Sequence, residues 1–334
     1  MGYQLSKLQA EEMFKALSEK YDLFAPVRMI GDGCFSETDV IRYSKITSPE
    51  EIVWDQKSDY SYKEALLPIN ETLFYFMEEE TSVPKESQKE QLIFLRSCDL
   101  EAVRRLDQIY LKNGFEDFYY ARRRARTKFV LMGCPNTCKS GFCVSMGTNK
   151  AENYDAYMKL TGDVLYVSYQ CEELEAYAEK AGAIPDLVTP DYATENREKV
   201  TLPKKLSNES FTKEIWKEYG SRCIGCGRCN FVCPTCTCFT MQDIFYRDNE
   251  KVGERRRVWA SCQVDGYTDM AGGISFRKTQ GERFRFKVMH KIYDYEKRFG
   301  YPMCVGCGRC DDVCPEYISY SNCVNRLAKE EENV

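Results

Sequence analysis

Apolar positions in the first part of the chain keep two rhythms. Around residues 5–21, Leu5, Leu8, Phe14, Leu17 and Tyr21 recur at helical spacing, which predicts a helix with one face turned to a core. Three later runs are short and β-prone: "QLIFLRSC" at 91–98, "KFVLMGC" at 128–134 and "DVLYVS" at 163–168. Each reads as a buried strand. Between the first two lies "DLEAVRRLDQIYLKNG", residues 99–114, helical by pattern. Strand, helix, strand predicts a βαβ unit with parallel strands, and ligands gather outside the carboxyl ends of such strands. Cys98 and Cys134 fall at those two ends. Residues 183–208 are polar and carry three prolines, which predicts a linker or extended arm. Beyond it, "MQDIFYRDNE" (241–250) and "RFRFKVMHKIYDYEKRFG" (283–300) are charge-rich and helix-like. The pattern divides the chain into an α/β domain over 1–182, a linker or arm over 183–210 and an α-helical domain over 211–334, an α+β protein as a whole.

Composition narrows the classes. A chain of 334 residues exceeds what one core usually serves, and 43% hydrophobic with 30% charged residues suits neither a disordered tail nor a membrane protein. No stretch reaches the roughly 18 uncharged apolar residues of a spanning helix, and "MGYQLSKLQAEEMF" lacks a signal peptide's apolar segment. The expected compartment is the cytoplasm. A net charge of −5 lacks the cation excess that tracks a phosphate backbone, which argues against nucleic acid as a partner.

Cysteine changes the picture most. The chain has 18 cysteines and one histidine, His290. Disulfides seldom persist in a reducing cytosol, so clustered cysteines there point to metal or redox chemistry. "CIGCGRCNFVCP" at 223–234 returns as "CVGCGRCDDVCP" at 304–315, with nine of twelve residues identical. Both copies spell C-x2-C-x2-C-x3-C-P, the bacterial ferredoxin spacing for a 4Fe–4S cluster. Two-residue gaps let a tight loop present three thiolates to one cube, and Gly225, Gly227, Gly306 and Gly308 tolerate the positive φ of such a wrap. In two-cluster proteins the fourth cysteine ligates the other cube. That rule assigns Cys223, Cys226, Cys229 and Cys314 to a first cluster and Cys304, Cys307, Cys310 and Cys233 to a second. A four-cysteine zinc ribbon pairs two C-x2-C elements instead, leaving a triplet with a surplus ligand. The 70 residues between Cys233 and Cys304 exceed a minimal ferredoxin and favour a helical two-cluster, ferredoxin-like domain.

Beside Cys134 the chain reads "CPNTCKSGFC", adding Cys138 and Cys143. With Cys98 these make four thiols at one sheet edge, the expected site of a third 4Fe–4S cluster; the competing reading is that free cysteines pack as small hydrophobes. Cys134 and Cys138 form C-x3-C, but the C-x5-C partner of a sirohaem site is absent, as are G-x-G-x-x-G after a strand and a P-loop. The chain reads as a conductor of electrons without a terminus. Cys236, Cys238 and Cys262 are expected to pack beside the cubes, and His290 to be structural. Arg228 and Arg309 lie inside the binding loops, where a cation favours the reduced cluster; a surface ion-pairing role is the equal alternative.

Several stretches in order, "SYKEALLPINETLF", "FLRSCDLEAVRRLD", "FCVSMGTNKAENYD", "CPTCTCF", "AGGISFR" and "MCVGCGRC", resemble the family formed by the iron–sulfur subunits of anaerobic sulfite reductase, from about residue 21 to 320. The resemblance implies one component of a cytoplasmic hetero-oligomer. It would carry electrons from a flavoprotein subunit oxidising NAD(P)H to a sirohaem subunit reducing sulfite to sulfide. Related β-type subunits of cytoplasmic hydrogenases share most of these motifs and give the alternative, with a non-redox scaffold as the third. In the hydrogenase relatives Cys98, Cys134 and Cys143 match cysteines, and a further cysteine stands where this chain has Gly141; Cys138 is the natural substitute.

Overall fold

The computed structural model describes residues 2–33, 37–85, 87–246 and 250–332. Its elements in chain order are β1 (Gly2–Ser6), α1 (Lys7–Lys20), β2 (Tyr21–Met29), β3 (Val40–Ile46), α2 (Lys63–Leu66), β4 (Asn70–Met77), β5 (Glu80–Ser82) and β6 (Glu90–Leu95). There follow α3 (Ser97–Tyr110), α4 (Phe118–Arg124), β7 (Thr127–Met132), β8 (Ala156–Thr161), β9 (Val164–Tyr169), α5 (Glu172–Lys180), β10 (Ile184–Asp186) and α6 (Ile215–Arg222). The chain closes with α7 (Arg228–Phe231), β11 (Phe239–Phe245), β12 (Val252–Trp259), α8 (Gln280–Met289), a π-helical turn (His290–Asp294), α9 (Tyr295–Phe299), α10 (Arg309–Asp312) and α11 (Tyr320–Glu332).

Two units emerge. One comprises Met1–Leu66, Ser87–Lys199 and Val305–Cys307; the other Leu67–Glu86, Val200–Cys304 and Gly308–Val334. The first is organised by an eight-stranded mixed sheet in the order β10-β1-β9-β8-β7-β6-β2-β3. β2, β6, β7 and β8 run parallel and the remaining pairs are antiparallel. The runs read as buried strands are continuous in burial because both sheet faces are covered. Leu92, Phe94, Val130 and Met132 join Met13, Phe14 and Leu17 of α1 and Leu174 and Ala178 of α5 in one core. Ile93, Leu95, Phe129 and Leu131 alternate with them and are equally buried, on the side where α3 meets β7.

The βαβ unit stands as expected, with α3 and α4 between β6 and β7. The opening helix differs. Residues 2–6 are strand, paired with β9 and β10, so Leu5 is buried as a strand residue. Leu8 is 66% exposed, because the buried face of α1 is set by Ala10, Met13, Phe14 and Leu17. The expected arm over 183–210 also differs. Ile184–Asp186 form the outermost strand, where Pro185 costs little because an edge strand leaves one side unpaired. Residues to Lys199 belong with the first unit and those from Val200 with the second.

The second unit is not wholly helical: it holds a sheet in the order β11-β12-β4-β5, two strands of which come from the early segment 67–86. Met241–Phe245 of the helix-like stretch "MQDIFYRDNE" lie in β11, while residues 247–249 fall outside the described residues. Pairing with β12 overrides the local pattern, and Asp243 takes two hydrogen bonds, each 2.7 Å, from the facing Arg255. Residues 283–300 are helical apart from the π turn.

The inserted segment is locked by a buried ion pair. Glu71 of β4 and Arg257 of β12 are cross-strand partners, 7% and 5% exposed, with the guanidinium 3.1 and 2.7 Å from one carboxylate oxygen. Removing one member strands the other charge in the interior. Arg257→Met is expected to cost about 3–5 kcal/mol, and adding Glu71→Leu to recover most of it. Anaerobic denaturant unfolding of the two variants checks this; equal losses would show that the pair is not what fixes the strand.

Candidate metal centres

The repeated stretch folds the same way twice. In each copy an irregular loop leads into one helical turn, α7 or α10, that starts on a left-handed glycine, Gly227 (φ 77°) or Gly308 (φ 74°). Gly225 and Gly306 also have positive φ, 68° and 65°, the backbone conformation the tight wrap requires.

In the second unit one cavity, about 480 Å³ of atom-free space partly open to solvent, is lined by Cys223, Cys226, Cys229, Cys310, Cys314 and Lys287. Cys314 of the second copy therefore lies with the triplet of the first. It is among the charges that raise Cys223, after burial, Cys229 and Cys226, and its own Sγ accepts the Ile318 N–H at 3.3 Å. Cys233 of the first copy does not line this cavity. It sits with Cys304 around Lys291, whose Nζ donates to Thr235 Oγ1 at 2.8 Å; that oxygen is 3.4 Å from Cys233 Sγ. A hydrogen bond from Cys236 and the charges of Lys291 and Lys287 hold the Cys233 thiol well below its ordinary range. Cys314 thus shares a cavity with the first copy's triplet, and Cys233 shares Lys291 with Cys304. Among the described residues no three potential ligands converge tightly enough for a single ion, whereas a four-iron cube spreads its thiolates further apart.

Lys287 and Lys291 test whether an anionic cluster fits. Both are 3% exposed, and among the described residues neither has a carboxylate within ion-pair reach. Burial works against a charged Lys287, yet Cys229, Cys310, Cys236 and Cys233 outweigh it and hold the ammonium protonated. A 4Fe–4S cube carrying four thiolates is an anion, and two buried cations beside the thiols are the complement it needs. Reading the sequence for motifs passed over these lysines; their signal was a charged pair at i, i+4 in the apolar context "FKVMHKI".

The first unit brings Cys134, Cys138 and Cys143 together outside the ends of β6 and β7. Arg96, at the start of α3 and 5% exposed, organises the edge: Nη1 donates to Gly133 O at 3.1 Å and approaches Cys134 Sγ at 3.4 Å, and Nη2 donates to Trp54 O and Gln56 O. Burial raises the Cys134 thiol and Arg96 opposes it; Cys143 is pushed up to about 12 by burial and by the neighbouring Cys134 and Cys138. Cys98 stands in the first turn of α3, next to Asp99, whose charge also reaches Cys134. The loop 138–143 turns through Gly141, whose N–H meets Cys138 O at 3.1 Å.

Val305–Cys307, which belong to this unit, are held by backbone contacts. Phe142 N–H donates to Gly306 O at 2.7 Å, Thr148 Oγ1 to Val305 O at 2.6 Å and Lys57 Nζ to Cys307 O at 2.7 Å. A Cβ on Gly306 would come within 2.7 Å of the Phe142 carbonyl carbon.

The remaining expectations divide. Cys262 is buried and accepts from Asn230 Nδ2 at 3.1 Å; hydrogen bonding from Cys262 draws the Cys238 thiol down to about 6. His290 stacks on Phe286 at 5.3 Å, and burial, with Lys291 and Arg277, lowers it to about 4. Arg309 is 1% exposed and Arg228 is exposed, so the two loop cations are not equivalent.

Comparison with known proteins agrees with this arrangement. The family of 4Fe-4S dicluster domains matches residues 222–318. The class is that of an iron–sulfur electron-transfer subunit, and the chain carries 4Fe–4S clusters. "Sulfhydrogenase 2 subunit beta" of Pyrococcus furiosus is 30% identical over 335 aligned positions, spanning 94% of this chain and 95% of the relative. The chain belongs to the family of that hydrogenase β-type subunit. The sulfite-specific reading implied by the motifs finds no support in this relative, and the hydrogenase alternative fits it better. No solved structure matches the chain.

Two outcomes are expected. Gly306→Ala meets both a left-handed φ, about 1–2 kcal/mol, and a backbone collision. It should release the loop, seen as faster amide exchange at Phe142 and Gly306 than in wild type; unchanged protection would refute the close approach. His290 has a folded-state value below its ordinary 6.5, so the unfolded chain takes up the proton first as pH falls. Its contribution is present above about pH 6.5 and fades toward pH 4. His290→Gln should make the fall in melting temperature between pH 7.5 and 5.5 shallower, as anaerobic calorimetry can measure.

Proposed function

We propose that this chain is the relay component of a cytoplasmic, hydrogenase-type oxidoreductase complex. It passes electrons one at a time between a flavoprotein partner that handles NAD(P)H and a separate catalytic partner. The observation that supports the reading is that Cys314 of the second copy lines one cavity with Cys223, Cys226 and Cys229 of the first. Cys223, Cys226, Cys229 and Cys314 hold one cube and Cys304, Cys307, Cys310 and Cys233 the other; each, when bound, takes up and gives back one electron. Shared chain segments keep the two centres close, and the protein's task is to fix their spacing and exclude water.

Cys98, Cys134, Cys138 and Cys143 hold a third cube. A Cβ placed on Gly141 would stand 3.1 Å from Cys138 Cβ, so a thiol from either position springs from nearly the same point, which supports Cys138 as the substitute ligand. Within the first unit the Phe142–Cys143 backbone lies against Gly306, beside Cys307. No helix among the described residues is long and apolar enough to cross a membrane. The ordered motifs shared with the iron–sulfur subunits of anaerobic sulfite reductase favour a second reading, in which the relay is unchanged and the catalytic partner carries sirohaem.

Anaerobically reconstituted chain should bind about eight irons, and about four more when the N-terminal site fills. Cys314→Ser should remove the cluster of the first copy selectively, in electron paramagnetic resonance spectra of the reduced protein. Loss confined to the second cluster would show that each motif closes on its own cube. Co-purification from native extract, followed by assay of hydrogen and sulfide production with reduced viologen, separates the two catalytic partners; turnover by the chain alone would overturn the relay.

A further inference from the structure

Lys287 and Lys291 are placed with more care than charge balance alone requires. They sit at i, i+4 on the helix formed by α8 and the π turn, so they point to one side of it. Lys287 lines the cavity of the first copy's thiols, and the sulfurs acting on it come from both copies: Cys229 first, then Cys310, with Cys236 and Cys233 following. Lys291 is faced by Cys233, Cys236 and Cys304. These sulfurs are the strongest charges on the two lysines, joined at Lys291 by its helical neighbour Lys287, and none of the strongest is a carboxylate.

The π turn gives Lys291 a second role. Tyr295 N–H bonds His290 O, five residues back, so the Lys291 carbonyl is released from the helical ladder. It accepts instead from Met303 N at 2.8 Å and Cys304 N at 3.4 Å. The backbone of one lysine thereby anchors the first cysteine of the second copy, while its side chain, through Thr235, reaches the cysteine donated by the first.

We propose that these two lysines are positioning residues that set the relative reduction potentials of the two clusters. Lys287 favours electron uptake by both, and Lys291 favours it at the cluster of Cys304, Cys307, Cys310 and Cys233. The step affected is the gain of one electron by a cube from an external one-electron donor such as dithionite, with no proton taken up. The cube becomes more negative by one charge, and a fixed buried cation stabilises that product more than the oxidised form. The inference rests on the ligand assignment proposed above.

The test is a redox titration of the full reconstituted chain, followed by electron paramagnetic resonance. Lys291→Met is expected to make the second cluster harder to reduce, by about tenfold in its reduced-to-oxidised ratio at a fixed poise. For a one-electron couple that is a shift of about 59 mV. The first cluster should move less. Lys287→Met should shift both clusters in the same direction, and Lys287→Arg, which keeps the charge, should restore them. Lys297→Met, at an exposed position of α9, is the control and should move neither. Where a methionine variant binds less iron, the glutamine variant of the same lysine is titrated in its place. Full iron content with potentials unmoved would overturn the role of the lysines while leaving the cluster assignment intact; absence of iron and signal in wild type would overturn the assignment itself.

Discussion

The interior of the second unit is governed by charge. Two lysines, each 3% exposed, share this interior with partly exposed thiols from both repeats, and a buried cation is tolerable only beside such counter-charge. An isolated ammonium in a protein interior costs several kcal/mol, as does an isolated thiolate. Placed together and closed around iron and sulfide, the charges offset each other. Under the proposed assignment, cluster binding would stabilise this core, as structural metals supply folding energy. The same constraint recurs in the first unit with a different cation. Arg96 spends three of its hydrogen bonds on the carbonyls of Trp54, Gln56 and Gly133, which fixes the guanidinium before it meets Cys134.

Backbone geometry does the rest of the positioning. Left-handed glycines turn each loop back on itself, and two of them open α7 and α10. Gly306 adds a different requirement, since another backbone lies where its side chain would be. The π turn solves the matching problem for the helix: it releases one carbonyl, which the Met303 and Cys304 N–H groups take up. Each feature is local, and each ends on a segment that carries a cysteine.

What could be read from sequence followed the physics of each signal. The repeated motif was legible because thiolate spacing and glycine placement are set by the cube, whatever the surrounding fold. The βαβ unit was legible because β6 and β7 are buried on both faces and so are continuously apolar. Leu8 and residues 241–245 misled for opposite reasons. Leu8 adds a false apolar point to a helix whose buried face is fixed by Met13, Phe14 and Leu17, and the mixed run Met241–Phe245 takes its strand form in pairing with β12. Nothing local shows that residues 67–86 join the C-terminal sheet, since β4 and its partner β12 stand far apart along the chain. Lys287 and Lys291 were visible as letters but look like solvated charges until their burial is known.

A relay of the proposed kind would serve hydrogenase and sulfite chemistry with the same site. Four of the six motifs behind the first resemblance carry cysteines of the proposed cluster machinery. That machinery responds to the charge and spacing of clusters, quantities that are alike whether the electrons end on a proton or on sulfite. Under the proposed function, the choice of acceptor falls to the interface with a catalytic partner. Similarity in the core therefore defines the family and leaves the acceptor to the interface.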